Sequence, residues 1–365
     1  MRGLAALAVF FHHAWPSALH PGSHTVPLAV VGNQLRLGLY LFFVLSGFLL
    51  YRGFIRHLRD RTRPDLGSYL KRRAARILPA YYVAIAASFV LLAAVSAKDG
   101  MPPHGQLPLF AVFAQNYSTS TFKELNSPTW TLCIEAVFYL LLPLLALALL
   151  RVRAGWRLQA AAIGGMVAVG IAWACATAAL GAGVVWINLV PAWLPYFAFG
   201  MAVALWIEYA PPLHISPRGT WALLALAAAL VVANGVVIGF AGDTSTLGVI
   251  VAGLPAGIGF GLLTALVLAG SGAGIAWTHT RWLAGVGVVS YGFYLWHMNV
   301  LHGVYHLDHA GGVLTNFVLA LPVALLLGLA SWRLVERPAI RASARASKRR
   351  RPAPRPAPAP TASPA

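Results

Sequence analysis

The chain opens RGLAALAVFFHH, which places an arginine at position 2 and histidines at 12 and 13 with small and apolar residues between them. On a helix turning about 100° per residue, the eleven steps from Arg2 to His13 sum to about 1100°, within about 20° of three full turns. The two side chains then share one face, about 16 Å apart along the axis, and His12 points elsewhere. An imidazole titrates near neutral pH and can take a proton from an attacking hydroxyl. An arginine at a helix N-terminus sits against the positive end of the dipole, a place that suits it only beside an anion such as a phosphate. The spacing also fits a plainer reading, in which Arg2 marks a membrane edge and His13 hydrogen-bonds within a bundle.

Glu135 is the one acid deep in an apolar stretch, so it must be protonated or face a cation such as His13 or Arg36. Three roles stay open for it: orienting the imidazole as a carboxylate does in hydrolase triads, binding an acceptor with Trp130 as a stacking platform for a sugar, or forming a structural pair. Arg73 and Arg76 stand at the start of an apolar run, where they suit either an anion clamp or a charge that orients the chain. Arg56, Arg59, Arg61 and Arg63, in the preceding loop, read as orienting charge. His297 closes SYGFYLWH and is followed by His302, His306 and His309. The last three have a spacing that a metal could use, but Gly303, Gly311 and Gly312 end the helix there, so they read as interfacial and no metal is expected. The glycine-rich GIGFG and GSGAG lack a strand, turn and helix context and read as helix-packing surface. Cys133 lies two residues from Glu135, on another face, which argues against a thiol acyl-enzyme.

The elements that position these groups follow from composition. Of 365 residues 59% are hydrophobic and only 10% charged, where a soluble domain is about half apolar and a quarter charged. A water-soluble globule is excluded, and the fold class is an all-α polytopic membrane helix bundle. Apolar runs place ten spans at about 3–19, 36–55, 77–97, 130–150, 158–181, 186–207, 220–240, 247–269, 284–306 and 312–335. The first run begins like a signal peptide, but it has no clear small-residue cleavage site and ends in two histidines, so it is kept as a span.

The basic segments RGFIRHLRDRTRPDLGSYLKRRAAR, RVRAGWR and RASARASKRRRPAPRP all fall on one side if the spans between them are even in number, as they are here. Both termini are then cytoplasmic, and residues 97–129 lie outside, with LPLFAVFAQN as a re-entrant or interfacial helix. Residues 1–340 form one membrane domain, and 341–365 a basic, then Pro/Ala-rich, disordered cytoplasmic tail held at anionic lipid. The net charge of +18 is read as topology and membrane-lipid contact, with no nucleic acid as partner. Cys133 and Cys175 both sit in apolar runs and read as buried free thiols.

Six pieces occur in a set order: RGLAALAVFFHH, LYLFFVLSGFLLYR, KRRAARILPAYY, SPTWTLCIEAVFYLLLP, SYGFYLWH and ERP at 336–338. In this the chain resembles the acyltransferase 3 family of integral-membrane O-acyltransferases, over nearly its whole length before the tail. The resemblance implies transfer of an acyl group, commonly from acyl-CoA as co-substrate and with no further cofactor, onto hydroxyls of envelope polysaccharides, lipids or secreted small molecules. It makes His13 the catalytic histidine, matches Arg2 to the basic position of the first motif, and matches Arg73 and Arg76 to an Arg-x-x-Arg element that would bind acyl-CoA. His297 matches a family position and is expected, with Arg36 and Trp130, to line the site. Glu336 matches the acidic position of the closing element, and its expected partners are Arg333 or Arg337. Family members usually carry several residues before the Arg-Gly pair, whereas this chain begins with it.

The expectation is thus a bacterial inner-membrane O-acyltransferase with His13 as general base. The rival is a transporter or flippase of an envelope intermediate, which ten spans would also serve. An internal repeat with paired broken helices would favour the transporter, and the sequence contains none.

Overall fold

Hydrocarbon offers no water to backbone amides and carbonyls, so a chain this apolar must satisfy them within each segment, as helix. The computed structural model describes residues 1–15, 34–94, 100–211, 215–241, 246–307 and 316–349, and no strand occurs among them. In chain order the long helices are α1 (Arg2–Ala14), α2 (Gly38–Asp60), α3 (Leu66–Ala94), α4 (Trp130–Arg151), α5 (Trp156–Ala179) and α6 (Val190–Tyr209). They continue with α7 (Pro217–Ala241), α8 (Thr246–Ala269), α9 (Arg281–Leu307), α10 (Leu321–Ser331) and α11 (Arg337–Arg349). A π-helical turn, Asn316–Ala320, leads into α10, and a second, Trp332–Glu336, joins α10 to α11.

The protein is a helical multi-pass membrane bundle, but among the described residues seven helices, not ten, are long and apolar enough to cross. The expected spans at 3–19, 247–269 and 284–306 make the difference. α1 has 13 described residues, and positions 16–19 lie outside the described part. α8 runs over 24 residues, but its side chains are described only from Gly253 to Ala269, a stretch that by itself is shorter than a span. α9 is long enough at 27 residues, but Tyr291, Tyr294, His297, Asn299 and His302 reduce its apolarity.

Packing follows the small residues. α2 lies along α6, which also meets α5 and α8, while α9 is held between α1 and α10. A Cβ on Gly47 of α2 would stand 2.1 Å from the Phe197 carbonyl oxygen, and one on Gly200 of α6 would stand 1.8 Å from that of Val44. The two helices therefore touch backbone to backbone, which only glycine permits. Phe138 of α4 stacks on Phe197 at 3.8 Å beside this crossing. A second apolar cluster, built from Ala6, Phe10 and Ala14 with Phe293, Met298 and Leu301, fixes α1 on α9.

Two local features set the height of the site residues. Asp65 accepts a hydrogen bond from the Ser68 amide at 2.9 Å and so caps the start of α3, about two turns before Arg73 and three before Arg76. Hydrogen bonds from Ser68 hold the Asp65 carboxyl below the usual carboxylate range. At the other end of α3, LPLFAVFAQN, expected as a re-entrant or interfacial helix, contains one α-helical turn, Pro108–Ala111. The Tyr81 and Tyr82 hydroxyls donate to the Phe110 and Ala111 carbonyls, both at 2.8 Å, and pin that turn to α3.

Cys133 is buried as expected, but Cys175 is exposed, because α5 presents most of its surface outward from the bundle. The basic residues Arg341–Arg349 belong to α11, and the Pro/Ala-rich residues 350–365 lie outside the described part.

Gly200→Ala is expected to lower the thermal unfolding midpoint in detergent, at a cost of about 1–3 kcal/mol from overpacking. Gly53→Ala, whose Cβ would meet nothing within 4 Å, should leave the midpoint unchanged or raised.

Candidate active site

α1 presents Arg2 and His13 to different neighbours. A Cβ on Gly3 would stand 2.7 Å from the Leu283 carbonyl oxygen, so the first turn of α1 lies directly against the start of α9. Arg2 reaches an interior cavity that Ser46, Thr131, Glu135, Ser290, Tyr291 and Tyr294 also line, and its Nε is buried without a hydrogen-bond partner. Three turns on, His13 faces α9. Its Nδ1 lies 3.1 Å from Nε2 of His297, and Nδ1 of His297 lies 2.6 Å from the Tyr294 carbonyl oxygen. His297 is 1% exposed and packs among Phe10 and Phe293, while His13 is half-buried. Tyr294 connects the cavity to this pair, since its hydroxyl donates to the Pro128 carbonyl at 2.9 Å and meets Thr131 Oγ1 at 2.8 Å.

Glu135 engages neither His13 nor Arg36 by an ion pair among the described residues. It accepts a hydrogen bond from Ser46 Oγ at 2.6 Å, and Tyr139, one turn along α4, supplies a second hydroxyl. Ser46 and Glu135 both line the cavity, so Glu135 presents a hydroxyl-bonded carboxyl group to that space.

The arginines divide into held and open. Glu336 is fully buried and forms an ion pair with Arg76 at 3.0 Å, not with Arg333 or Arg337 as expected from sequence. The π turn at Trp332–Glu336 is the physical reason: its wider winding turns Glu336 inward, where Ser331 Oγ donates to it at 3.3 Å. The Arg76 guanidinium is further enclosed between the rings of Tyr291 at 5.7 Å and Trp332 at 5.4 Å. Arg73, one turn earlier, has a buried Nε with no partner. Arg2 lies close enough to act electrostatically on Arg76 and Glu336. Arg2, Arg73 and Arg76 thus gather at one end of the bundle, with Arg2 and Arg73 keeping unused donors.

The opposite end carries a ladder of aromatic rings that the sequence did not single out beyond Trp130. Trp130 meets Trp193 at 5.2 Å, Trp193 meets Tyr40 at 5.9 Å, and Tyr40 stacks on Tyr196 at 4.3 Å. Lys123 Nζ stands 5.8 Å from the Trp130 ring, and Arg36, in the 3-10 turn just before α2, has buried Nε and Nη2 atoms without partners. The Asn116 side chain donates to the Trp130 carbonyl at 2.8 Å and fixes that end of α4. Their only sequence signal is tryptophan and tyrosine at helix starts, which membrane-interface belts produce equally well. Among the described residues no three His, Cys, Asp or Glu gather as metal ligands; the side chain of His306 and the whole of His309 lie outside that description.

A helical membrane protein with a buried histidine pair, an arginine-lined end and an aromatic end is the class that the fold and site define. The chain belongs to the acyltransferase 3 family, whose model, described as an acyltransferase domain, matches residues 1–333. It is similar to nodulation protein 10 of Rhizobium leguminosarum bv. viciae, 30% identical over 165 residues that make up 40% of this chain and 42% of that protein. It is also similar to ORF330 of Acidianus two-tailed virus, named as an acetyltransferase, 28% identical over 148 residues, 40% of this chain and 39% of that protein. The matched stretches span about two fifths of those relatives. No solved structure matches the chain.

Arg76→Ala and Glu336→Ala are each expected to destabilise the bundle by about 3–5 kcal/mol, because each leaves a bare buried charge. The double variant Arg76→Met/Glu336→Leu should lose less than the sum of the two, a coupling that a double-mutant cycle of unfolding midpoints measures.

Proposed function

We propose that the protein is a membrane O-acyltransferase that moves an acyl group, acetyl in the simplest case, from acyl-CoA to a hydroxyl of a cell-envelope glycan, lipid or secreted small molecule. The observation that carries this reading is the single face of α1, which sets His13 about 16 Å along the axis from Arg2 at the arginine-lined end. An extended pantetheine arm can cover that span. Acyl-CoA carries a pyrophosphate and a ribose phosphate, and the unpartnered donors of Arg2 and Arg73 suit such anions. Arg76, already paired with Glu336, serves better to shape the entry than to bind the phosphates directly.

His13 acts as general base on the acceptor hydroxyl, whose oxygen attacks the thioester carbon while the CoA thiolate leaves. The acceptor reaches His13 from the opposite end, where Trp130 and Trp193 offer faces to a sugar ring and Arg36 and Lys123 offer positive charge. Glu135, hydrogen-bonded by Ser46 at the cavity, is placed to order a substrate group there. The chain is read as lying in a bacterial inner membrane with both termini cytoplasmic, which puts the arginine end on the side where acyl-CoA is made. A transporter has no need of an imidazole that shares a helix face with an anion-binding arginine, so the enzyme reading is preferred.

Purified protein in lipid nanodiscs with acetyl-CoA tests this by release of free CoA thiol. His13→Ala is expected to reduce release by about 10²–10⁴-fold, the usual worth of a general base. Arg73→Ala should instead raise KM for acetyl-CoA about tenfold, the loss of one charge-assisted contact. Full activity in a folded His13→Ala protein would refute the mechanism.

A further inference from the structure

The two hydrogen bonds of His297 have a direction. A carbonyl oxygen accepts and never donates, so the 2.6 Å contact with Tyr294 places a proton on Nδ1 of His297. A neutral His297 then has a bare Nε2, and that atom faces Nδ1 of His13 at 3.1 Å. His13 must donate from Nδ1, which leaves its Nε2 as the lone pair. The Val9 carbonyl, one turn back on α1, can only accept, so it shares the Nδ1–H of His13 and favours the same tautomer. On this ground we propose that His297 is a positioning residue, which sets the proton arrangement of His13 and shares the proton that His13 takes up.

The proposal rests on the reading of His13 as general base and gives that base its orienting group. In hydrolase triads a carboxylate fills this place. Here the place is lined by Phe10, Phe293 and the Tyr294 ring, and His297 is 1% exposed, so a bare carboxylate would be costly where a neutral imidazole is not. Glu135, the acid that the sequence offers for the task, is bonded to Ser46 instead. The ionisable groups that act on the pair are themselves bases: His12 on α1, His302 on α9 and Lys123 from the loop before α4. The support for His297 is fixed in turn, because the Tyr294 hydroxyl is tied to Pro128 and Thr131 at the start of α4.

The step balances within the pair. The acceptor O–H gives its proton to Nε2 of His13 as its oxygen bonds to the acyl carbon. The proton on Nδ1 of His13 shifts toward Nε2 of His297, and the positive charge spreads over both rings, with Nδ1–H of His297 still on the Tyr294 carbonyl. When the C–S bond breaks, the CoA thiolate takes the proton from Nε2 of His13, and the shared proton returns to Nδ1.

The test is the tautomer itself, read by nitrogen NMR of histidine-labelled protein in nanodiscs at neutral pH, with the His13 signal assigned by its absence in His13→Gln. Wild-type His13 is expected to carry its proton on Nδ1. In His297→Phe, which suits the aromatic surroundings and keeps the volume, the Val9 carbonyl is the one acceptor left to Nδ1–H, so the balance should shift measurably toward Nε2, the form that a free histidine side chain favours. His297→Gln, whose amide oxygen can accept from Nδ1–H, should keep the wild-type tautomer. Acetyl-CoA cleavage should fall about 100-fold or more in the Phe variant, with KM for acetyl-CoA held within about twofold, and the Gln variant should recover part of the loss. Wild-type His13 protonated on Nε2, or a tautomer unmoved in His297→Phe, would overturn the role of His297 while leaving His13 as base. Full cleavage by His13→Ala would overturn the base assignment, and the proposal with it.

Discussion

A charge in hydrocarbon must be paired or must face a polar cavity, and the arrangement of this bundle depends on how few charges it has to satisfy. The ion pair of Arg76 with the fully buried Glu336 meets that condition most completely. It ties α3 to the end of α10 across 260 residues of sequence, and the rings of Tyr291 and Trp332 close over the guanidinium. Because Arg76 is consumed in this way, Arg2 and Arg73 are the neighbours left with unused donors. Of three arginines that look alike in the sequence, one is thereby given to structure, and the other two are left for the proposed ligand binding.

The unpartnered donors are informative because they are unfavourable. A buried guanidinium nitrogen without an acceptor costs about 1–3 kcal/mol or more, and native structures hold few of them. Here the guanidinium nitrogens fall at the two ends that the proposed reaction needs, those of Arg2 and Arg73 at one and of Arg36 at the other. The histidine pair is bonded at His297 Nδ1 and between the rings, with Nε2 of His13 left bare and Tyr294 linking the pair both to the cavity and to the start of α4. Free donors for ligands and satisfied groups for chemistry are what a preorganised site requires.

What could be read from the sequence was what depends on local periodicity. The helical class follows from apolar content, and the common face of Arg2 and His13 follows from 3.6 residues per turn. The partner of Glu336 was not legible, since a π turn changes the winding just before it and sends the carboxylate to another helix. The contact of His13 with His297 crosses 284 residues and depends on how Phe10 packs on Phe293, which no spacing rule encodes. The aromatic ladder was seen only at Trp130, because its other rungs come from α2 and α6, brought side by side by Gly47 and Gly200. Of the three expected spans missing from the seven found among the described residues, two are described only in part, and the third, α9, trades apolarity for the tyrosines and histidine of the site.

The most direct measurement is an experimental structure of the protein in nanodiscs with a non-hydrolysable acetyl-CoA analogue. The central claim predicts CoA phosphates at Arg2 and Arg73 and the acyl carbon within about 6 Å of the His13 imidazole, one hydroxyl oxygen between them. Phosphates held instead at Arg36 and Lys123, or an acyl carbon more than about 10 Å from His13, would contradict it.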